Sequence, residues 1–153
     1  MKVATSCYIE KDNKTLMLHR TKKEDDVHKD RWIGLGGKVE NGETPEECVI
    51  REVKEESGLL LLNPQLRGIL TFPKFKDDED WYVFLFTATE FTGELQECNE
   101  GILEWIPTER IFELNISEGD KLFLNWLKEY KMFSAKFVYE NGKLMEHKLV
   151  AYE

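Results

Sequence analysis

The chain has 153 residues, 41% hydrophobic and 33% charged, which suits one ordinary soluble globular domain spanning residues 1–153 with a real core. A formal net charge of -9 argues against stable nucleic-acid binding, which needs a basic stripe to displace counterions. No segment approaches the roughly 20 apolar residues that cross a bilayer, and the N-terminus carries no export signal, so a cytoplasmic protein is expected. Cys7, Cys48 and Cys98 are odd in number and widely spaced. They fit neither a disulfide framework nor a zinc site and read as reduced, partly buried thiols.

In chain order, residues 3–10 are rich in β-formers and predict a strand, with residues 15–20 as its partner and Asp12-Asn13-Lys14 as the turn. Residues 21–30 are too charged for core and read as a substrate loop or lid. Residues 31–37 predict a short apolar strand running into glycines. Residues 44–57 then carry strong helix punctuation. Thr44 is the N-cap, Pro45 takes the first helical position, Glu47 closes a capping box, and Gly58 ends the helix. Strands are predicted at 59–62, 66–72, 81–90 and 102–106, a short helix at 107–114, and a long helix at 117–131 with Leu122, Trp126 and Tyr130 at four-residue steps. Asn141-Gly142 predicts a closing hairpin of residues 135–139 and 143–150. The whole reads as an α+β domain with a substantial sheet.

Glu52, Glu55 and Glu56 share one face of the first helix. Like charges at that spacing cost a few tenths of a kcal/mol per pair, about 0.2–0.5. One reading is a solvated acidic face. The other is a site for a hard divalent cation, which carboxylates and substrate phosphates would hold together. Arg51 is placed to pair with Glu47 or Glu55, Val49 and Val53 to pack on the sheet, and Lys38 to meet a phosphate as a point charge.

The stretch from Gly37 to Leu59 decides between them. It resembles the Nudix box, G-x5-E-x7-R-E-U-x-E-E-x-G-U with U a bulky aliphatic residue, at every position. The matching residues are Gly37, Glu43, Arg51, Glu52, Val53, Glu55, Glu56, Gly58 and Leu59. The resemblance to the Nudix hydrolases implies an α/β/α sandwich with a mixed β-sheet, in which the box forms a loop-helix-loop. It implies Mg²⁺, with Mn²⁺ as a substitute, held by Glu52, Glu55, Glu56 and the backbone carbonyl of Gly36. A further acidic ligand is expected at Glu100, for which a plain surface glutamate is the alternative. Arg51 would orient a catalytic glutamate, and the general base would be Glu52 in first place and Glu56 in second.

Residues 31–38, Glu104-Trp105-Ile106-Pro107 and the closing hairpin resemble the MutT-like branch, which includes enzymes of the 8-oxo-dGTP diphosphatase type. The implied activity is hydrolysis of an oxidised purine nucleoside triphosphate to the monophosphate and pyrophosphate, as nucleotide-pool sanitation that serves DNA repair. Where vertebrate-type members read the purine with an asparagine, this chain has Ile33. Where they carry a tryptophan and paired aspartates before the last helix, it has Ile116, Ser117, Glu118 and Gly119, so Glu118 is the candidate base reader. Arg20 is placed to meet phosphate or to form a salt bridge. Trp32, Phe72, Phe75 and Trp81 could stack on a base, though core packing is the weightier expectation. His19, His28 and His147 are given no role, and Asp77-Asp78-Glu79-Asp80 reads as a solvated turn. The partner is a small-molecule nucleotide, with no membrane, and the chain a monomer or homodimer. Two alternatives stay open. One is a Nudix hydrolase of a dinucleoside polyphosphate, a nucleotide sugar or an RNA 5′ end. The other, of another class, is an inactive ligand-sensing module.

Overall fold

The computed structural model describes residues 1–22 and 28–152. Among the described residues, ten strands, two α-helices and one 3₁₀ segment follow in the order β1 (Lys2–Lys11), β2 (Lys14–Arg20), β3 (Trp32–Ile33), α1 (Pro45–Ser57), β4 (Leu60–Leu62), β5 (Gln65–Lys76), β6 (Glu79–Ala88), β7 (Glu90–Thr92), β8 (Gly101–Pro107), the 3₁₀ segment (Thr108–Glu113), α2 (Glu118–Glu129), β9 (Met132–Glu140) and β10 (Lys143–Tyr152). The main sheet runs β10-β9-β5-β6-β1-β2-β3, and β8 also pairs with β2. It is mixed: β1 lies parallel to β6 and β5 parallel to β9, while the other pairs are antiparallel. A separate two-stranded ribbon joins β4 to β7.

One apolar cluster lies under α1, where Val49 and Val53 meet Leu16, Leu18 and Phe86. A second lies under α2, where Phe123 and Leu124 meet Leu70, Phe133 and Phe137. The sheet is therefore the middle layer of an α/β/α sandwich. Val49 and Val53 are both fully buried, which stabilises the α1 docking by about 1.5–3 kcal/mol each. That docking holds the acidic face of α1 in place.

The ends of α1 follow from its sequence. Thr44 Oγ1 accepts from the Glu47 amide at 3.0 Å, Glu47 Oε1 accepts from the Thr44 amide at 2.9 Å, and Pro45 opens the helix. At the other end Gly58 takes a φ of 82°, a left-handed conformation that glycine adopts without strain, and its amide bonds to the Lys54 carbonyl. The tight turns are also local. Asp12-Asn13, Asp77-Asp78 and Asn141-Gly142 all have positive φ, the geometry whose twist suits two-residue hairpins.

The structure differs from the sequence reading in several places. Residues 34–37 are not strand. Leu35 and Lys38 make single bridges to Cys7 and Ala4, because the Gly36 amide turns to a side chain of α1 instead of a neighbouring strand. Residues 108–113 wind as a 3₁₀ segment with no side-chain cap. β5 and β6 run on to meet at Asp77-Asp78, while Glu90–Thr92 peels off to pair with β4. The second helix stops at Glu129, where Arg67 donates to the Leu127 and Tyr130 carbonyls and closes its C-terminus. β9 starts at Met132, pairing with β10 along its length. Cys7, Cys48 and Cys98 are free and buried. No helix among the described residues is long and apolar enough to cross a membrane. The expected lid at 21–30 falls partly on residues 23–27, outside the described residues.

Candidate active site

The acidic face of α1 meets the glycine turn that follows β3. Glu56 is only 9% exposed, and its Oε1 accepts from the Gly36 amide at 2.9 Å. Burial pushes the proton affinity of Glu56 well above the usual carboxylate range. A hydrogen bond with the Glu100 carboxyl and the negative charges of Glu100 and Glu52 push the same way. Glu52 is also raised, by burial first and then by Glu55 and Glu100, against the opposing pull of Arg51. A Cβ on Gly37 would lie 2.4 Å from the Glu52 carboxyl carbon, so only glycine lets the turn approach that carboxylate.

Arg51 organises this cluster. Its Nε and one terminal nitrogen grip Glu43 at 2.7 and 2.9 Å, and the other donates to Glu52 Oε1 at 2.9 Å and more loosely to Glu55 Oε2 at 3.4 Å. A further bond to the Lys38 carbonyl at 3.1 Å ties the loop to the helix. The Arg51 hydrogen bonds, helped by the Glu40 amide, lower the Glu43 pKa to about 2. Glu47, one of the two partners expected for Arg51, instead closes the cap of α1.

Glu100 reaches the cluster from the loop before β8. Lys22 holds that loop, donating from Nζ to the Cys98 carbonyl at 2.7 Å and from its amide to the Glu100 carbonyl at 3.2 Å. Arg20 lies 3.7 Å from Glu100. Four carboxylates from two segments, Glu52, Glu55, Glu56 and Glu100, thus act on one another electrostatically. Among the described residues no three acidic, histidine or cysteine groups already form a cage for an ion. Mg²⁺ commonly takes only one or two carboxylates and completes its shell with water and phosphate oxygens. The mutual repulsion of the cluster is what such a cation would relieve, so the donor set fits it.

Beside the glycine turn opens a cavity of about 330 Å³. Gly34, Gly36 and Gly37 form its floor toward the carboxylates, and Phe72, Phe75, Trp81 and Tyr139 give it aromatic walls. Arg20, Lys38 and Ile33 line it, and the Lys38 ammonium stands 5.5 Å from the Trp81 ring centre. Core packing was the weightier expectation for Phe72, Phe75 and Trp81, yet all three face the cavity, and Phe72 also packs on the core under α2. Trp32 instead stacks on His19, ring centres 4.4 Å apart. His28, given no role, is among the lining residues.

Glu118 is not among them. Its Oε2 accepts from the Leu144 amide at 2.7 Å and ties α2 to the closing hairpin. Among the described residues the acidic group on the cavity wall is Asp120, which accepts from Ser117 at 2.8 Å. Burial raises its pKa to about 6, against the pull of the Ser117 hydroxyl and the Arg31 charge. The sequence reading missed Asp120. Its only local signal was its place three residues after the N-cap serine, which reads equally well as a helix cap.

The model of the NUDIX domain family matches residues 1–127, and the chain belongs to that family. It is 35% identical over 128 residues to the Nudix hydrolase YvcI of Bacillus subtilis, covering 80% of this chain and 77% of that one. It is 32% identical over 120 residues to the oxidized purine nucleoside triphosphate hydrolase of Danio rerio, covering 78% and 77%. The crystal structure of a MutT mutator protein from Bacillus halodurans superposes with a TM-score of 0.85 at 30% identity, covering 97% of both chains. The chain is thus a MutT-like Nudix hydrolase. That likeness includes β9 and β10, which lie beyond the residues matched by the family model.

Proposed function

We propose that the protein is a Mg²⁺-dependent nucleoside triphosphate pyrophosphohydrolase that converts oxidised purine nucleotides, 8-oxo-dGTP above all, to the monophosphate and pyrophosphate. The observation that carries this reading is one continuous surface. An aromatic cavity with Asp120 on its wall opens onto the Gly36-Gly37 turn, and that turn contacts Glu52 and Glu56. A purine seated against the aromatic wall of Phe72 and Trp81 could direct its triphosphate toward the carboxylates, with Lys38 and Arg20 at hand for phosphate oxygens. The likeness to the Danio rerio enzyme supports the same substrate class.

Glu52, Glu55, Glu56, Glu100 and the Gly36 carbonyl are the proposed metal ligands. A bound divalent cation would neutralise phosphate oxygens and acidify water. Arg51 holds Glu52 still by a direct bond, which suits Glu52 to ligation. Glu52 and Glu56 are the two candidates to take a proton from the attacking water, and the Gly36 amide fixes Glu56 by its bond to Oε1. Ile33 offers the ligand only apolar contact, so discrimination among purines falls to Asp120 and its neighbours.

The test is pyrophosphate release from 8-oxo-dGTP and dGTP with Mg²⁺, using E56Q as the control. A preference for 8-oxo-dGTP that E56Q abolishes supports the reading. Equal rates on both, or turnover only of another diphosphate substrate, overturn the oxidised-purine assignment.

A further inference from the structure

The cavity's acidic wall is held by a directional chain of hydrogen bonds. The Gly119 amide donates to the Tyr139 hydroxyl at 2.8 Å, and Tyr139 donates to Ser117 Oγ at 3.2 Å. Ser117 then donates to Asp120 Oδ1 at 2.8 Å, while the Asp120 amide returns to Ser117 Oγ at 3.3 Å. The serine oxygen thus accepts two bonds and donates one, the full use of a hydroxyl. Because Tyr139 and the Asp120 amide fill its acceptor positions, its single proton is left to the carboxylate.

We propose that Tyr139 is a positioning residue for substrate selection: its phenol, seated against Gly119, turns the Ser117 hydroxyl onto Asp120 and so sets how the Asp120 carboxylate meets a ligand. The proposal rests on reading the cavity as the nucleobase site. Gly119 supports it independently. A Cβ there would lie 2.6 Å from the Tyr139 oxygen, so the close seat of the phenol depends on glycine. The ring of Tyr139 is held separately, 5.8 Å from Phe75 and 6.4 Å from Phe72. The hairpin has its own tie to α2 through Glu118 and Leu144. Losing the hydroxyl alone should therefore leave the fold in place. The charged and titratable groups that act on Asp120 and its neighbours are Arg31, Tyr8 from β1 and Tyr139 from β9. The Ser117 bond lowers the Asp120 pKa against burial, so loosening it should raise that pKa further.

The experiment compares the full chain with Y139F, S117A and the double variant, in Mg²⁺, on 8-oxo-dGTP and dGTP. Y139F is expected to raise KM for 8-oxo-dGTP by about two- to tenfold, the worth of one hydrogen bond, with kcat near wild type and a thermal midpoint lowered by only about 2–4 °C through the Gly119 amide it leaves unpaired. The double variant should be no weaker than S117A, because Tyr139 acts through Ser117. Carbon-13 NMR titration of the Asp120 carboxyl, which needs no substrate, should show a higher midpoint in Y139F. An unchanged KM, an unchanged Asp120 midpoint, or additive effects of the two substitutions would each overturn the relay. If wild type does not turn over 8-oxo-dGTP, the functional reading falls, and the carboxyl titration alone decides the relay.

Discussion

Arg51 and Glu43 form a two-pronged ion pair, Nε to Oε2 at 2.7 Å and a terminal nitrogen to Oε1 at 2.9 Å, although eight residues separate them in sequence. The pair clamps the loop before α1 onto the helix and leaves the other prong of Arg51 for Glu52. Lysine cannot make both contacts, because its ammonium is a point charge without a planar fork. R51K is therefore expected to lower kcat/KM by about 10–100-fold, the usual cost of losing a group that orients a metal ligand. E43Q, which keeps the shape and weakens the charge, should cost less. Steady-state kinetics at saturating Mg²⁺ check both.

Metal binding and stability should move together. Glu56 is buried beside Glu52 and Glu100, so the metal-free protein carries repulsion that a cation removes. Adding Mg²⁺ at about 100 times its Kd should stabilise wild type by about 2.7 kcal/mol, and EDTA should reverse it. E56Q should lose about 10²–10⁴-fold in turnover if Glu56 is the general base. Its metal-free thermal midpoint should match that of wild type near neutral pH, because burial and the neighbouring carboxylates already favour the neutral form of Glu56. A clear fall in the metal-free midpoint would argue that the Glu56 charge itself stabilises the fold.

Asp120 gives stability a pH dependence of known sign. Its pKa is about 6 in the folded chain against an ordinary 3.8. The folded state thus holds the proton more tightly, and this contribution is complete below about 3.8. It is lost as pH rises from there through 6, and is flat above. Linkage puts the loss at no more than about 3 kcal/mol. Denaturant unfolding of wild type and D120N between pH 3.5 and 7, with EDTA present, should show a steeper fall in wild type than in the asparagine variant, which keeps the contributions of Glu56 and Glu52.

These expectations drew unequally on what the sequence makes legible. α1 could be read residue by residue, because its caps, its apolar stripe and its glutamates all sit within reach of one helix. The tight turn at Asn141-Gly142 is equally local. Asp120 could not be read that way. It becomes a cavity residue only because β9 pairs in parallel with β5 and brings Tyr139 beside the start of α2. Glu118 looked like the better candidate from its position, yet it turns outward to the Leu144 amide. The aromatic walls were ambiguous for a similar reason. Phe72 and Trp81 lie opposite one another on β5 and β6, and alternation along a strand does not tell a core from a cavity. Residues 34–37 look like a strand by composition, but only isolated bonds tie Leu35 and Gly37 to β1, and the Gly36 amide bonds to Glu56, twenty positions on.

Trp81 offers the most direct check on where the ligand sits. Its ring lines the cavity and carries the Lys38 ammonium at 5.5 Å, so it can serve both the base and the phosphate end of a nucleotide. Leucine would keep apolar bulk but remove the aromatic face. Losing a stacking contact of about 0.5–1.5 kcal/mol corresponds to a roughly two- to tenfold rise in KM. The thermal midpoint should change little, because Trp81 is only partly buried and belongs to neither core cluster. W81L is therefore expected to raise KM for the nucleotide with kcat nearly constant. An equal fall in kcat with unchanged KM would mean instead that the ring acts only in the transition state, through the placement of Lys38 on the phosphates.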